Sequence, residues 1–101
     1  MAKLTVLYGH PTDTKAFEDY YAQTHLPIAG RIPSVTRLEL TVFAPGPDGS
    51  PPAYYRMAEL YFPDAASMQA ALASPEGAAA ANDLPNFASG GVTMLAGAVE
   101  G

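Results

Sequence analysis

The chain has 101 residues, with five basic and ten acidic side chains, a formal net charge of −5 and no cysteine. This length predicts a single domain over residues 1–101, and the lack of cysteine excludes a disulfide framework and a thiolate metal site. The acidic balance and scattered basic residues argue against a nucleic-acid partner, and no apolar run reaches the roughly 20 residues that span a membrane.

The first predicted element is a strand from Lys3 to His10, which Pro11 ends because proline cannot donate to a sheet ladder. Side chains alternate along it, and one face carries Leu4, Val6, Tyr8 and His10. This opening segment lacks the long apolar stretch of a secretory signal. Together with the absence of cysteine, this leads us to expect a cytoplasmic protein.

A helix is predicted next, from Lys15, with Thr12 or Asp13 as its cap. Four side chains recur at helical spacing and form one stripe: Phe17, Tyr21, His25 and Ile28. Pro27 removes an amide donor and disfavours helical backbone at the preceding residue. We therefore expect the helix to stop or kink just after His25.

Two further strands are predicted on either side of a loop rich in proline and glycine. The strands cover Val35–Phe43 and Tyr54–Phe62, and the loop covers 44–52. Glu59 lies in the third strand among apolar neighbours, where an unpaired carboxylate is unfavourable. We expect it to pair with Arg37, with Arg56 or with a group from a second chain.

The rest of the chain predicts a second helical region and a last strand. A helix over Ala65–Ala73 is opened by Asp64, and Pro75 suits the first turn of a further helical piece. Residues 82–91 contain Pro85, Gly90 and Gly91 and predict a loop. The last strand is predicted over Val92–Glu100.

The resulting order is strand, helix, strand, strand, helix, strand, which is the ferredoxin-like βαββαβ arrangement of the α+β class. It predicts an antiparallel four-stranded sheet with helices on one face. The other face is left bare and is more apolar than a solvent face usually is, since it would carry Glu39, Thr41, Tyr55, Met57 and Tyr61. A second copy of the chain would cover it, so we expect a homodimer.

The two histidines are the first candidates for chemistry, because each could titrate near neutral pH. His25 lies at the end of the first helix on its core stripe, where it could act as a general acid or base. The alternative is a packed histidine that bonds a loop carbonyl and fixes the turn before Pro27. His10 closes the first strand, where it either contacts a ligand or simply occupies the rim.

Six tyrosines are many for this length, and a cavity lined by some of them would suit an apolar or aromatic metabolite. We expect Tyr8, His10 and Tyr21 to place a substrate oxygen, whereas ordinary packing is the alternative for the phenols. Whether Tyr20 or Tyr21 faces the cavity stays open. No phosphate loop, HExxH or G-x-S-x-G motif occurs in the sequence.

The stretch from Phe17 to Ile28, FEDYYAQTHLPI, resembles the F-[DE]-x-Y-Y-x-x-x-H-x-P-[LI] signature of the EthD family, named for a protein linked to ethyl tert-butyl ether degradation. The segments 74–77 and 83–93 also look like its second half, and Ser34 departs from the usual glycine. The resemblance implies a ferredoxin-like chain that pairs into a dimeric α+β barrel, without metal or organic cofactor. The matching position for a functional histidine is His25.

The superfamily that this resemblance implies includes lactone isomerases, cofactor-independent monooxygenases, polyketide cyclases and heme proteins. Proton transfer by His25, as in isomerisation or cyclisation, fits the residues best, because it needs only an imidazole and phenols. The alternative is a non-catalytic accessory or ligand-binding protein of an oxidative degradation pathway. A heme-binding dimer is a third hypothesis, with His10 or His25 as the only possible histidine ligands.

Overall fold

The computed structural model describes all 101 residues and confirms the predicted order of helices and strands. In chain order the elements are β1 (Ala2–Tyr8), α1 (Thr14–Tyr20), a π-helical turn (Tyr21–His25), α2 (Leu26–Ala29), β2 (Arg37–Val42), β3 (Arg56–Phe62), α3 (Ala65–Ala73), α4 (Pro75–Asp83), a 3-10 turn (Leu84–Asn86) and β4 (Val92–Ala98). The chain is therefore an α+β domain of ferredoxin-like topology. None of its helices has the length and apolar character needed to cross a membrane.

The four strands form one sheet in the order β2-β3-β1-β4, and every neighbouring pair is antiparallel, as predicted. β1 lies in the middle, where Leu4 is paired with Leu60 on one side and Ala96 on the other. It ends at Tyr8, two residues before the predicted end. One further bond continues its pairing with β4, since the Gly9 amide donates to the carbonyl of Gly91, the residue before that strand.

One face of the sheet is buried under the helices, as the alternation in β1 predicts. Successive residues of β1 are alternately buried and half-buried, and the buried ones are Ala2, Leu4, Val6 and Tyr8. The helices cover this face with Phe17, Tyr21, Met68, Ala71, Ala80 and Leu84. The core therefore lies entirely between the sheet and its single helical layer.

No element of the chain covers the opposite face of the sheet. Glu59 pairs there with Lys3, at 2.9 Å between Nζ and Oε2, so the expected pairing with an arginine is wrong. Tyr61 donates to Oε1 of Glu39 at 2.7 Å on the same face. Tyr55 does not belong to it: it precedes β3 and packs under the helices, with its ring 5.4 Å from that of Phe17.

The prediction for this helix was a stop or a kink just after His25; the helix does not stop there but continues past Pro27. The backbone widens instead into the π-helical turn, in which the Leu26 amide donates to the Tyr21 carbonyl five residues back. Pro27 then occupies the first turn of α2.

In the second helical region the structure confirms the predicted bounds of α3, but α4 is longer at its C-terminal end than predicted. Asp64 caps α3 by accepting from the Ser67 amide at 2.7 Å. Ser74 then caps α4, which continues to Asp83 where a loop from residue 82 was predicted. Ser34 is the one residue other than glycine with a positive φ, +68°, at the position where the resembling family often has glycine.

Candidate functional site

The first helix brings Tyr21 and His25 to its buried side through the π-helical turn. Asp13 begins α1 by accepting from the Ala16 amide at 3.0 Å. Tyr21 and His25 then lie at the two ends of the π turn, both buried, with their rings stacked at a centroid distance of 5.8 Å. Phe87 packs against the His25 ring at 4.6 Å and fixes it from a second side.

The His25 side chain is held by a carboxylate from the other helical region. Its Nδ1 lies 2.9 Å from Oδ2 of Asp83, and the two residues are only 5% and 7% exposed. A carboxylate accepts and does not donate, so this contact places the ring proton on Nδ1. The other nitrogen, Nε2, makes no hydrogen bond within the chain.

Asp83 receives two more hydrogen bonds, both on its Oδ1 atom. The Tyr20 hydroxyl donates at 2.6 Å and the Asn86 amide at 3.0 Å. Burial by itself raises the pKa of the Asp83 carboxyl, but the hydrogen bonds from Tyr20, Asn86 and His25 outweigh it and leave that pKa below its usual value. The carboxylate is therefore ionised at neutral pH and fixes the imidazole in one orientation.

An apolar cavity lies between the helices and the sheet and is lined by the His25 ring. We call it the central cavity; it opens to solvent at its mouth, and the centres of water-sized molecules can occupy about 70 Å³ of it. All four strands contribute to its floor through Leu4, Leu40, Leu60 and Met94, and the helices contribute Leu26, Ala29, Ala80 and Leu84. An apolar lining with a few polar groups is typical of sites for small apolar molecules.

Tyr8 and Tyr21 also line the central cavity. Their rings meet edge to face at 5.6 Å. Burial, with the neighbouring Tyr21, raises the pKa of Tyr8, and burial raises the pKa of Tyr21 against the opposing effect of Arg56. Both phenols are therefore neutral hydrogen-bond donors at physiological pH. The Tyr21 hydroxyl is sealed from solvent and has no partner within the chain.

A half-buried ion pair packs against Tyr21. The Arg56 guanidinium lies 4.6 Å from the centre of the Tyr21 ring, and its Nη2 donates to Oε1 of Glu18 at 2.9 Å. Nε of Arg56 and Oε2 of Glu18 are buried without partners, as is the Tyr21 hydroxyl. The buried side-chain polar atoms that lack hydrogen bonds thus all belong to this one cluster.

The structure places the other predicted site residues differently. His10 does not line the central cavity: it lies exposed beyond the end of β1, and its Nε2 donates to the Pro52 carbonyl at 2.7 Å. Of the two tyrosines left open, Tyr21 lines the cavity and Tyr20 holds Asp83. No three side chains of the metal-ligating types lie together in the fold.

Sequence reasoning missed Asp83 as a site residue, because it was assigned to a loop. The alanine-rich run before it continues as helix, and this turns the carboxylate toward His25, 58 positions earlier in the chain. Asp83 could have been found from the sequence if the alanine-rich helix had been predicted to extend to this acidic residue, three positions before Asn86. That pattern is common on exposed helix ends, so it does not by itself indicate a partner.

The low pKa of Asp83 predicts a specific dependence of stability on pH. An unfolded aspartate titrates near about pH 3.9, and the folded carboxyl titrates lower. Its contribution to the free energy of unfolding is therefore complete above that pH and is lost as the pH falls through the folded value. Urea unfolding from about pH 7 to about pH 3 should show a shallower decline in Asp83→Asn than in the wild type. Parallel declines would contradict this prediction.

The class of protein follows from the fold and the site together: a ferredoxin-like α+β domain with an apolar cavity and a buried histidine–aspartate pair. The model of the EthD domain matches residues 9–91. A protein described as an uncharacterized 11.0 kDa protein in the thcB-thcC intergenic region of Rhodococcus erythropolis is 48% identical over 99 residues, covering 94% of this chain and 91% of that protein. The chain belongs to the EthD family.

Solved structures agree with this assignment. An EthD family protein from Bacillus halodurans superposes with a TM-score of 0.92 at 34% identity, covering 99% of both chains. SnoaB from Streptomyces nogalater, described as a cofactor-independent oxygenase, matches at a TM-score of 0.66 and 18% identity over 99% of this chain and 92% of that chain. A dimeric ferredoxin-like protein from Thermobifida fusca matches at a TM-score of 0.71 and 12% identity, over 97% of this chain and 90% of that chain. The last two likenesses show the fold alone.

Proposed function

We propose that this chain binds a small apolar or aromatic metabolite in the central cavity and transfers a proton on it without a cofactor, with His25 as acid and base. The observation that carries the proposal is the arrangement of the His25 ring. It is buried, its Nδ1 is engaged by Asp83, its Nε2 has no partner, and it lines an apolar cavity. A carboxylate that orients an imidazole is the usual way to prepare its other nitrogen for proton transfer.

Tyr8 and Tyr21 serve this reaction as neutral donors to a ligand oxygen. Both line the cavity, and the Tyr21 hydroxyl has no partner within the chain. A donor that stays protonated stabilises negative charge that develops on an oxygen during proton transfer. His10 takes no part in this proposal, since its Nε2 donates to Pro52 away from the cavity.

We also propose that the functional unit is a homodimer in which a second copy covers the bare face of the sheet. That face combines the Lys3–Glu59 pair with the half-buried Leu7 and Met57 and the exposed Leu95. The Thermobifida neighbour is described as dimeric. Burial of this apolar surface against a second sheet would be favourable.

A second function is favoured by one observation, namely that Asp83 joins the first helix to α4 through His25 and Tyr20. A network of this kind also serves packing alone. The chain would then be a non-catalytic accessory or ligand-binding protein of an oxidative degradation pathway, and His25 would be structural.

A ligand screen separates these functions. Native mass spectrometry and thermal shift, run with phenols, lactones, quinones and aromatic acids, should find a compound that stabilises the dimer of the wild type. We expect His25→Ala to lose that stabilisation by at least about tenfold in affinity, because the ring borders the cavity, and His10→Ala to keep it. If both variants bind equally well, or if no compound binds and His25→Ala only melts earlier, the accessory function is supported instead.

A further inference from the structure

The wall of the central cavity contains no charged side chain. Of its 18 lining residues, only Tyr8, Tyr21 and His25 carry polar side chains capable of strong hydrogen bonds. The remainder are aliphatic residues, methionine and a glycine. A molecule that enters the cavity therefore exchanges water for hydrocarbon and three uncharged polar groups.

The cations of the chain are unavailable to a ligand in this cavity. Arg56, the cation nearest to Tyr21, is paired with Glu18 at 2.9 Å. Lys3 and Arg37 are paired with Glu59 and Glu39 on the opposite face of the sheet. Lys15 is exposed and paired with Asp19, and Arg31 is exposed at the surface.

An unneutralised negative charge lies next to the cavity, because the ionised Asp83 lies directly behind the His25 ring, whereas the positive charge of Arg56 behind Tyr21 is paired with Glu18. An anionic ligand would lose its hydration, gain no counter-ion and approach this carboxylate. Each of these changes opposes binding of an anion. An uncharged ligand avoids all of them.

The Tyr21 hydroxyl indicates which kind of polar group the ligand carries. The residue is 2% exposed and its oxygen has no partner. Leaving a buried donor unpaired is unfavourable by about 1–3 kcal/mol, so a ligand oxygen that accepts from it gains affinity once the side chains that now cover the hydroxyl move aside. A carbonyl oxygen supplies such an acceptor without bringing a charge.

We propose that the substrate of this site is an uncharged, enolisable carbonyl compound with an apolar or aromatic body, and that aromatic carboxylates are rejected. The inference rests on the proposed function and names its substrate class. Tyr21 holds the carbonyl oxygen, and the carbon next to the carbonyl faces Nε2 of His25.

The reaction is a redistribution of one proton. Nε2 of His25 takes a proton from the carbon adjacent to the carbonyl, and the C–H electron pair becomes a carbon–carbon double bond while the carbonyl π pair moves to oxygen. Tyr21 donates a hydrogen bond to that oxygen, and Asp83 stabilises the imidazolium. The imidazolium then returns the proton to carbon. No electrons leave the substrate, so no oxidant or reductant takes part.

The experiment uses acetophenone and benzoate, which have similar size but differ in charge and in enolisable hydrogen. Binding to the full chain is followed by chemical shift changes of the Met94 and leucine methyl groups, and exchange of the acetophenone methyl hydrogens is followed in D₂O. We expect acetophenone to bind at least about tenfold more tightly than benzoate at neutral pH. We expect the wild type to accelerate exchange.

Variants of His25 and Tyr21 test whether these residues cause the accelerated hydrogen exchange. His25→Gln should lower the exchange rate by about a hundredfold or more, which is the usual contribution of a general base. Tyr21→Phe should lower it by about a hundredfold, while Tyr54→Phe, before β3 and outside the cavity lining, should leave it unchanged. Circular dichroism checks each fold, and Tyr21→Phe carries the test if His25→Gln does not fold.

The outcomes separate this inference from the proposed function. If benzoate shifts the cavity methyl groups as strongly as acetophenone, the inference is overturned and a ligand site remains. If acetophenone binds without accelerated exchange, enolisation is overturned while binding stands. If neither probe shifts the cavity methyl groups, both the inference and the ligand site proposed for this cavity are overturned.

Discussion

Asp83→Asn should lower the free energy of unfolding by about 3 kcal/mol, because hydrogen bonds to a buried charged group are each worth about 1.5–3 kcal/mol. The wild-type carboxylate accepts from His25, Tyr20 and Asn86, and it is almost fully buried. An amide has one acceptor oxygen and brings two N–H donors to a site where every neighbour already donates. Either a donor then loses its partner, or His25 must change to the tautomer in which Nδ1 accepts from the new amide.

This loss is measured by urea unfolding and by the melting temperature. A change of 1 kcal/mol moves the melting temperature of a chain of this length by about 4–8 °C, so a fall of roughly 12–24 °C is expected. Asp19→Asn is the matched control, since Asp19 is exposed on α1 and pairs with Lys15 at the surface. It should change stability by no more than about 0.5 kcal/mol. Equal effects of the two variants would mean that the Asp83 network adds nothing.

Gly9→Ala should destabilise the chain by about 3 kcal/mol, at the upper end of the effects of overpacking. A β-carbon at this position would collide with the carbonyl group of Gly90. Both partners in that collision are backbone, so no side chain can rotate away. The strain would fall on the segment that the Gly9 amide ties to the Gly91 carbonyl, and this segment carries Phe87 against His25.

The matched control for this variant is Gly97→Ala. Gly97 lies in β4 and a β-carbon there would meet no atom within 4 Å. Alanine at that position should leave stability unchanged or raise it by a few tenths of a kcal/mol, since glycine in a strand is entropically unfavourable. Chemical denaturation of the three proteins tests the comparison. If Gly9→Ala is as stable as Gly97→Ala, the prediction is wrong, and the backbone segments at Gly9 and Gly90 can move apart with little loss of stability.

The elements of the fold could be predicted from local patterns in the sequence. The alternation around Leu4 and Val6 places one face of β1 against the helices, and the spacing of Phe17, Tyr21 and His25 places the histidine in the core. Each pattern is a periodicity of two or of about 3.6 residues, which reflects burial on one side of an element. The order of the four strands in the sheet, β2-β3-β1-β4, is the one that the βαββαβ arrangement predicts.

The errors in the prediction occur where tertiary contacts override a local signal. Pro27 is a strong signal for the end of a helix, yet packing of His25 and Tyr21 under the same helix favours a π turn over a break. Glu59 was expected beside an arginine, but the register of β1 on β3 brings Lys3 closer. Such competition depends on which segments meet, and a single segment does not contain that information.

The sequence by itself determined the ferredoxin-like order of elements, the buried position of His25 and the presence of phenols on the apolar faces, because each follows from the burial preference of neighbouring side chains. Only the tertiary structure decided that Asp83 holds the imidazole, that Tyr21 lines the cavity while Tyr20 supports the carboxylate, and that His10 lies apart. The physical reason is that a hydrogen bond requires atoms within about 3 Å of each other. The packing of α4 against the first helix fixes that distance, and residues 58 positions apart give no local pattern that reveals it.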